Sequence, residues 1–245
     1  MNFTYSAYVS FIELLHNMGY KILSYDNFQG ENYCVILRHD VDNSLLSAYK
    51  LAQVERKLGV KSTYFLLLTS DFYNVFSLNG MRMIDGILSC GHEIGLHFDE
   101  ARYPDSLGRI DAVKDRIMEE VGILSKAVGQ QITKVSMHRP SKQIIKANLE
   151  IPGIVNTYSE TFFLKFKYVS DSRHVWREPI EDIIRNRLYK RLQILVHPFW
   201  YNEEAADIKE SVSKFINNAN KERYQIMDEN FTDLSEIMDK SEICQ

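Results

Sequence analysis

The chain has 245 residues, 45% hydrophobic and 25% charged, which suits one sizeable globular domain and excludes disordered and fibrous classes. Its net charge is −4, so bulk electrostatics give no reason to expect a nucleic-acid or anionic-membrane partner. No apolar run reaches the length of roughly 18 residues that spans a bilayer, and the first residues lack the basic start and apolar stretch of a signal peptide. The three cysteines, Cys34, Cys90 and Cys244, have no CxxC spacing and cannot all pair within one chain. A reduced, cytoplasmic protein is therefore expected, with Cys34 and Cys90 as core residues.

Helical periodicity opens the chain, with Tyr8, Phe11, Ile12 and Leu15 on one face, Ser6 as a cap and Gly19 as a stop. An apolar run follows from Tyr33 to Leu37. A helix from about Ser44 carries Leu45, Ala48, Leu51, Ala52 and Leu58 and ends at Gly59. A strand is expected over 63–68, a helix through Met83, Ile84, Ile87 and Leu88 up to Gly91, and a short strand over 93–97. A long helix spans about 107–128, with Gly129 just past its end. Further strands are expected at 132–137, 153–158, 166–170 and 192–196, with a helical segment at 180–189 before the last. An amphipathic helix at 203–219 aligns Ile208, Val212, Phe215 and Ile216. No Pro/Gly-rich linker marks a boundary, so residues 1–245 are read as one domain.

Strands that alternate with helices and are apolar on both faces predict a buried parallel sheet. Seven strands at this length favour an incomplete (β/α) barrel over an open doubly wound sheet.

The reactive residues cluster at strand ends. Arg38-His39-Asp40-Val41-Asp42 follows the first main strand, His97-Phe98-Asp99-Glu100 the third, His138-Arg139-Pro140 the fourth, Asp171 the sixth and His197-Pro198-Phe199-Trp200 the seventh. In β/α barrels the loops at the C-terminal strand ends converge on one mouth, where active sites form. Packing has no preference for one end of the sheet, so four of the seven histidines at these ends suggest a site. Asp40 and Asp42 at i and i+2 of an extended segment point to one side. One can bind a metal while the other takes a proton; alternatively, an acidic residue here caps the helix that begins near Ser44. His97 with Asp99 and Glu100 nearby suggests a ligand, whereas His92, at the opposite end of its strand, reads as structural. Arg139 has the planar fork that holds a carboxylate, and His197 is placed to donate a proton. Trp176 and the Phe199-Trp200 pair offer either an apolar wall for a sugar ring or plain packing.

In their order, these segments resemble the motifs of the polysaccharide deacetylases of carbohydrate esterase family four. Arg38 to Asp42 resembles the first motif, Gly91 to His97 the run into the second, Arg139-Pro140 the third, Asp171 with Trp176 the fourth, and Leu195-Val196-His197 the fifth. The resemblance implies a metal-dependent hydrolase that removes an N-acyl group, acetyl above all, from an amino sugar. Asp40 would be its base, His197 its general acid and Arg139 the residue that orients Asp40. Asp42 and His97 would hold a divalent ion, zinc before cobalt or nickel. The family's second metal-binding histidine falls on Ala101 in this chain, and alanine ligates nothing. Asp99 is expected to complete the metal set, and His138, Trp176 and Trp200 to line the substrate site. Without an export signal, a cytoplasmic glycan or nucleotide-sugar precursor of surface polysaccharide is the expected substrate. Hydrolysis of another C–N bond by the same fold, or glycan binding without catalysis, are the alternatives.

Overall fold

The computed structural model describes residues 1–243, so Cys244 lies outside the described residues. Contacts divide the chain into two compact units, 1–203 and 204–245. In the first unit the elements in chain order are α1 (Tyr5–Asn17), β1 (Lys21–Leu23), β2 (Cys34–Val41), α2 (Leu45–Lys57), β3 (Thr63–Leu66), α3 (Leu78–Ser89), β4 (Glu93–Phe98), α4 (Ile110–Val128) and β5 (Lys134–Met137). They continue with α5 (Lys142–Lys146), β6 (Val155–Asn156), α6 (Glu160–Leu164), β7 (Lys167–Ser170), α7 (Ile180–Arg185) and β8 (Arg191–Val196). The second unit holds α8 (Ile208–Asn230) and α9 (Leu234–Ile237). Its long helix begins at a capping box formed by Asp207 and Glu210, and the Tyr224 hydroxyl donates to the Met238 carbonyl. The helix expected over 203–219 thus starts five residues later and runs eleven residues further. No described helix is long and apolar enough to cross a membrane.

All strand pairs are parallel, in the order β6-β5-β4-β3-β2-β8-β7. The eighth strand, β1, pairs with the first half of β2 (Lys21 with Cys34), and β3 takes the second half (Arg38 with Thr63). All eight residues of β2 are buried, as a central strand covered on both faces requires. Ser44 and Thr4 cap α2 and α1 through their hydroxyls, so Thr4 has the role expected of Ser6.

The sheet curls into an incomplete barrel, and Arg38 of β2 reports the curvature. Flat strands lie about 4.8 Å apart, which would put β6 roughly 19 Å from β2. Arg38 nevertheless donates from Nη1 to Thr157 Oγ1, one residue past β6, at 2.7 Å. Its guanidinium also lies 5.0 Å from the Tyr158 ring and 6.0 Å from the Tyr168 ring of β7. Between the unpaired edges of β6 and β7 the rings of Tyr158, Phe163 and Tyr168 pack at 5.7 to 6.5 Å from one another. Gly95 of β4 makes room inside: a Cβ there would meet the Phe65 ring at 2.5 Å.

Candidate active site

Alternation along β2 sends Arg38, Asp40 and Asp42 to the barrel interior and His39 to the helical side. His39 Nε2 lies 2.9 Å from Glu55 of α2, on the face of β2 opposite Asp40, although its strand position placed it among the site histidines. His92 is structural as expected, bonded to Ser62 and to the Ala52 carbonyl.

Inside, Arg38 Nη2 donates to Asp40 Oδ2 at 2.8 Å and to Ser136 Oγ at 2.7 Å. Burial alone would push the Asp40 carboxyl up, but the Arg38 guanidinium and the nearby imidazoles hold it below the usual range. The residue that grips Asp40 is therefore Arg38. Arg139, expected in that role, is exposed, and its backbone turns through a left-handed φ of 49° just before Pro140. A residue before proline normally stays extended. The turn aims His138 inward and Arg139 outward.

His97 Nε2, His138 Nδ1 and Asp42 Oδ1 converge on one point. Their separations are 3.2 Å (Asp42 to His97), 3.4 Å (Asp42 to His138) and 3.2 Å (His97 to His138). A tetrahedral zinc with ligands at 2.0–2.2 Å has ligand–ligand edges of about 3.3–3.6 Å, close to the observed triangle. Asp42 Oδ1 is buried and makes no hydrogen bond among the described residues, which suits an oxygen shaped for a cation. Burial would raise the Asp42 carboxyl, but the flanking imidazoles hold it well below its ordinary value. Asp42 and His138 are partly exposed while His97 is buried, so the set is open on one side, as catalytic metal sites are.

His197 stands beside this set, its Nε2 3.9 Å from Asp42 Oδ2. Its Nδ1 donates to the buried Asp171 at 2.6 Å, and the same carboxylate accepts the His197 backbone N–H at 3.0 Å. Burial opposes a charged imidazole, but the hydrogen bond and the charge of Asp171 prevail and push its pKa up to about 9. Nε2 is left facing the Asp42–His97–His138 set.

Asp99, expected as the third ligand, points its carboxylate elsewhere and caps the following turn at Ala101 N. Its neighbour Glu100 accepts the backbone N–H and hydroxyl of Ser141, tying down the turn that carries His138. The converging set therefore takes its third member from the next strand end: His138, which the sequence had suggested for substrate. Ala101 lines a cleft of about 600 Å³ together with Thr69, Ser70, Asp71, Asp99 and Arg102. Ser70 Oγ donates to the Asp42 carbonyl, so this cleft adjoins the donor set. Trp176 packs against Phe11 of α1, and Trp200 against Phe199, both in the core layer outside the sheet.

No family model and no curated protein matches the chain. Among solved structures it is similar to a deacetylase from Streptococcus pyogenes in complex with acetate, at 14% identity and a TM-score of 0.44, over 58% of this chain and 66% of that one. It is similar to a carbohydrate esterase family four pseudoenzyme from Bacillus anthracis, at 14% identity and a TM-score of 0.46, over 79% of this chain and 62% of that one. A family 4 carbohydrate esterase from Bacillus anthracis matches at 15% identity and a TM-score of 0.44, over 87% of this chain and 86% of that one. The chain thus spans less than two thirds of the length of the first two. Members of carbohydrate esterase family four are among the solved structures to which this chain is similar.

Proposed function

We propose that the chain is a metal-dependent deacylase that cleaves the amide of an N-acylated amino sugar, acetyl above all. The observation that carries this reading is the open Asp42–His97–His138 triangle flanked by a carboxylate on one side and a charged imidazole on the other. Those three residues would hold a divalent ion, zinc before cobalt or nickel, which when bound would supply a Lewis acid for the acyl carbonyl and lower the pKa of water.

The chain's own groups divide the proton transfers. Asp40, kept ionised by Arg38, accepts a proton from the attacking water while its Oδ2 lies 3.7 Å from His97 Nε2. His197, held by Asp171 and charged at neutral pH, donates its Nε2 proton to the nitrogen that leaves as the C–N bond breaks. One C–O bond forms, one C–N bond breaks, and the products are a carboxylic acid and an amine. Arg38 acts through Asp40 and is a positioning residue. The cleft beyond Ala101 offers hydroxyl, carboxylate and guanidinium groups, the partners that sugar hydroxyls take.

The test is acetate release from a panel of N-acetylated amino sugars. Chelated protein should lose activity and regain it with zinc or cobalt, and Asp42→Ala should prevent the rescue. Undiminished turnover after chelation would refute the reading; turnover confined to cyclic amides or formamides would shift it to another C–N hydrolase.

A further inference from the structure

The opposite end of the barrel carries a surface of another kind. Two adjacent parallel strands, β7 and β8, are entered by similar runs: Leu164-Lys165-Phe166-Lys167 before one and Leu188-Tyr189-Lys190-Arg191 before the other. Pairing of Lys167 with Leu192 brings these runs side by side, where all but Leu188 line a cleft of about 810 Å³. Four cations, Lys165, Lys167, Lys190 and Arg191, line it with no carboxylate among the lining residues. Lys167 is paired with Glu178 at 2.7 Å, while Lys165, Lys190 and Arg191 form no ion pair among the described residues. A chain of net charge −4 thus concentrates positive charge where its overall balance gives no hint of it.

Of the apolar residues in these runs Phe166 is buried, but the other three face water. Leu164 is 71% exposed and Leu188 59% exposed, and Tyr189 is exposed beside them. A soluble phosphate would need the cations alone. Exposed leucines next to lysines instead match a bilayer interface, where cations meet lipid phosphates and short apolar side chains enter the acyl boundary. We propose that this end of the barrel docks on an anionic lipid surface, with Lys165 and Lys190 as its main charge contacts and Leu164 and Leu188 as its apolar ones. Because Lys167 and Arg191 begin their strands, whereas Asp42 and His197 lie just past the ends of theirs, docking leaves the metal-ligand mouth facing away from the bilayer.

The test is flotation of the whole chain with vesicles of phosphatidylcholine alone or mixed in equal parts with phosphatidylglycerol. Binding should need phosphatidylglycerol and should vanish on going from about 0.1 M to 1 M salt, as the screening length falls from about 10 Å to 3 Å. Lys165→Gln with Lys190→Gln should weaken it about thirtyfold, at roughly one surface cation's contribution each, and Leu164→Ser should weaken it further. Zinc binding at the other end should not change. Equal binding to uncharged vesicles, or wild-type binding by the double variant, would overturn the proposal. So would pyrophosphate binding in this cleft without any vesicle binding, which would assign a soluble phosphate ligand.

Discussion

Successive residues of β2 feed two buried charged clusters that differ in how completely they are satisfied. On the helical side, Glu55 accepts hydrogen bonds from Tyr8, Ser62 and Tyr64 at 2.6 to 2.8 Å and lies 2.9 Å from His39. Both oxygens of the Glu55 carboxylate are thus filled and no solvent reaches it, although His39 Nδ1 makes no hydrogen bond among the described residues. On the interior side, Asp40 is similarly gripped by Arg38, but Asp42 Oδ1 faces two imidazoles without a hydrogen bond and the set opens to solvent. A buried charge with every acceptor site filled holds a fold together, whereas one left partly unsatisfied beside an opening is equipped to take a ligand.

Substitutions should separate the two clusters. The largest effects belong to the interior. Asp40→Asn and His197→Ala should each lower turnover by about 10²–10⁴-fold, the usual loss for a general base or acid, while far-UV circular dichroism stays that of wild type. The double variant should fall well short of the product of the two losses, because both act in one reaction. Near-normal turnover in both single variants would remove their assigned roles. Next comes Glu55→Gln, which leaves hydrogen-bond partners of a buried charge unanswered. Denaturant unfolding should show a loss of about 3–5 kcal/mol, with zinc affinity of the folded protein unchanged.

The same comparison has a pH signature. His39 and the other partners of Glu55 outweigh its burial and hold its pKa at about 2 rather than 4.5. Its contribution is therefore fully present above pH 4.5 and is lost as pH falls towards about 2. Glu55→Gln should flatten that acid limb of the Tm profile. Glu120 of α4 behaves oppositely: burial raises its pKa to about 7, so its protonated form favours the fold and stability falls as pH rises from 4.5 to about 7. Glu120→Gln should remove that opposite slope, and an unchanged slope would show that Glu120 ionises without penalty. The smallest effect is expected from Arg139→Ala, since that exposed side chain touches neither Asp40 nor the metal-ligand set. Arg38→Ala should instead destabilise the fold by leaving Asp40 buried without its partner.

Much of this architecture is legible in the amino-acid sequence. The strand–helix alternation is local, so periodicity located every strand except β1, whose three residues are too few to carry a pattern. The strand-end clustering of Asp42, His97, His138 and His197 was legible because a barrel gathers such ends. What the sequence could not assign depends on direction rather than position. The sequence points to Arg139 as the partner of Asp40, and only the curl of the sheet and the left-handed turn at Arg139 give that contact to Arg38. Asp99 is the third ligand the sequence points to, and only the structure shows its carboxylate taken by the Ala101 N–H while His138 converges on Asp42 and His97. Glu55 gave no signal at all, because a glutamate in a helix reads as a solvated one.

The central claim is that the position left by Ala101 is supplied from the neighbouring strand end by His138. Zinc titration of the apo-protein by calorimetry, on wild type, His138→Ala and Asp99→Ala, tests it most directly. Wild type and Asp99→Ala should bind one ion with similar affinity, and His138→Ala should lose far more than the 10–100-fold typical of an outer-shell partner. Wild-type affinity in His138→Ala, with binding lost in Asp99→Ala, would contradict the account.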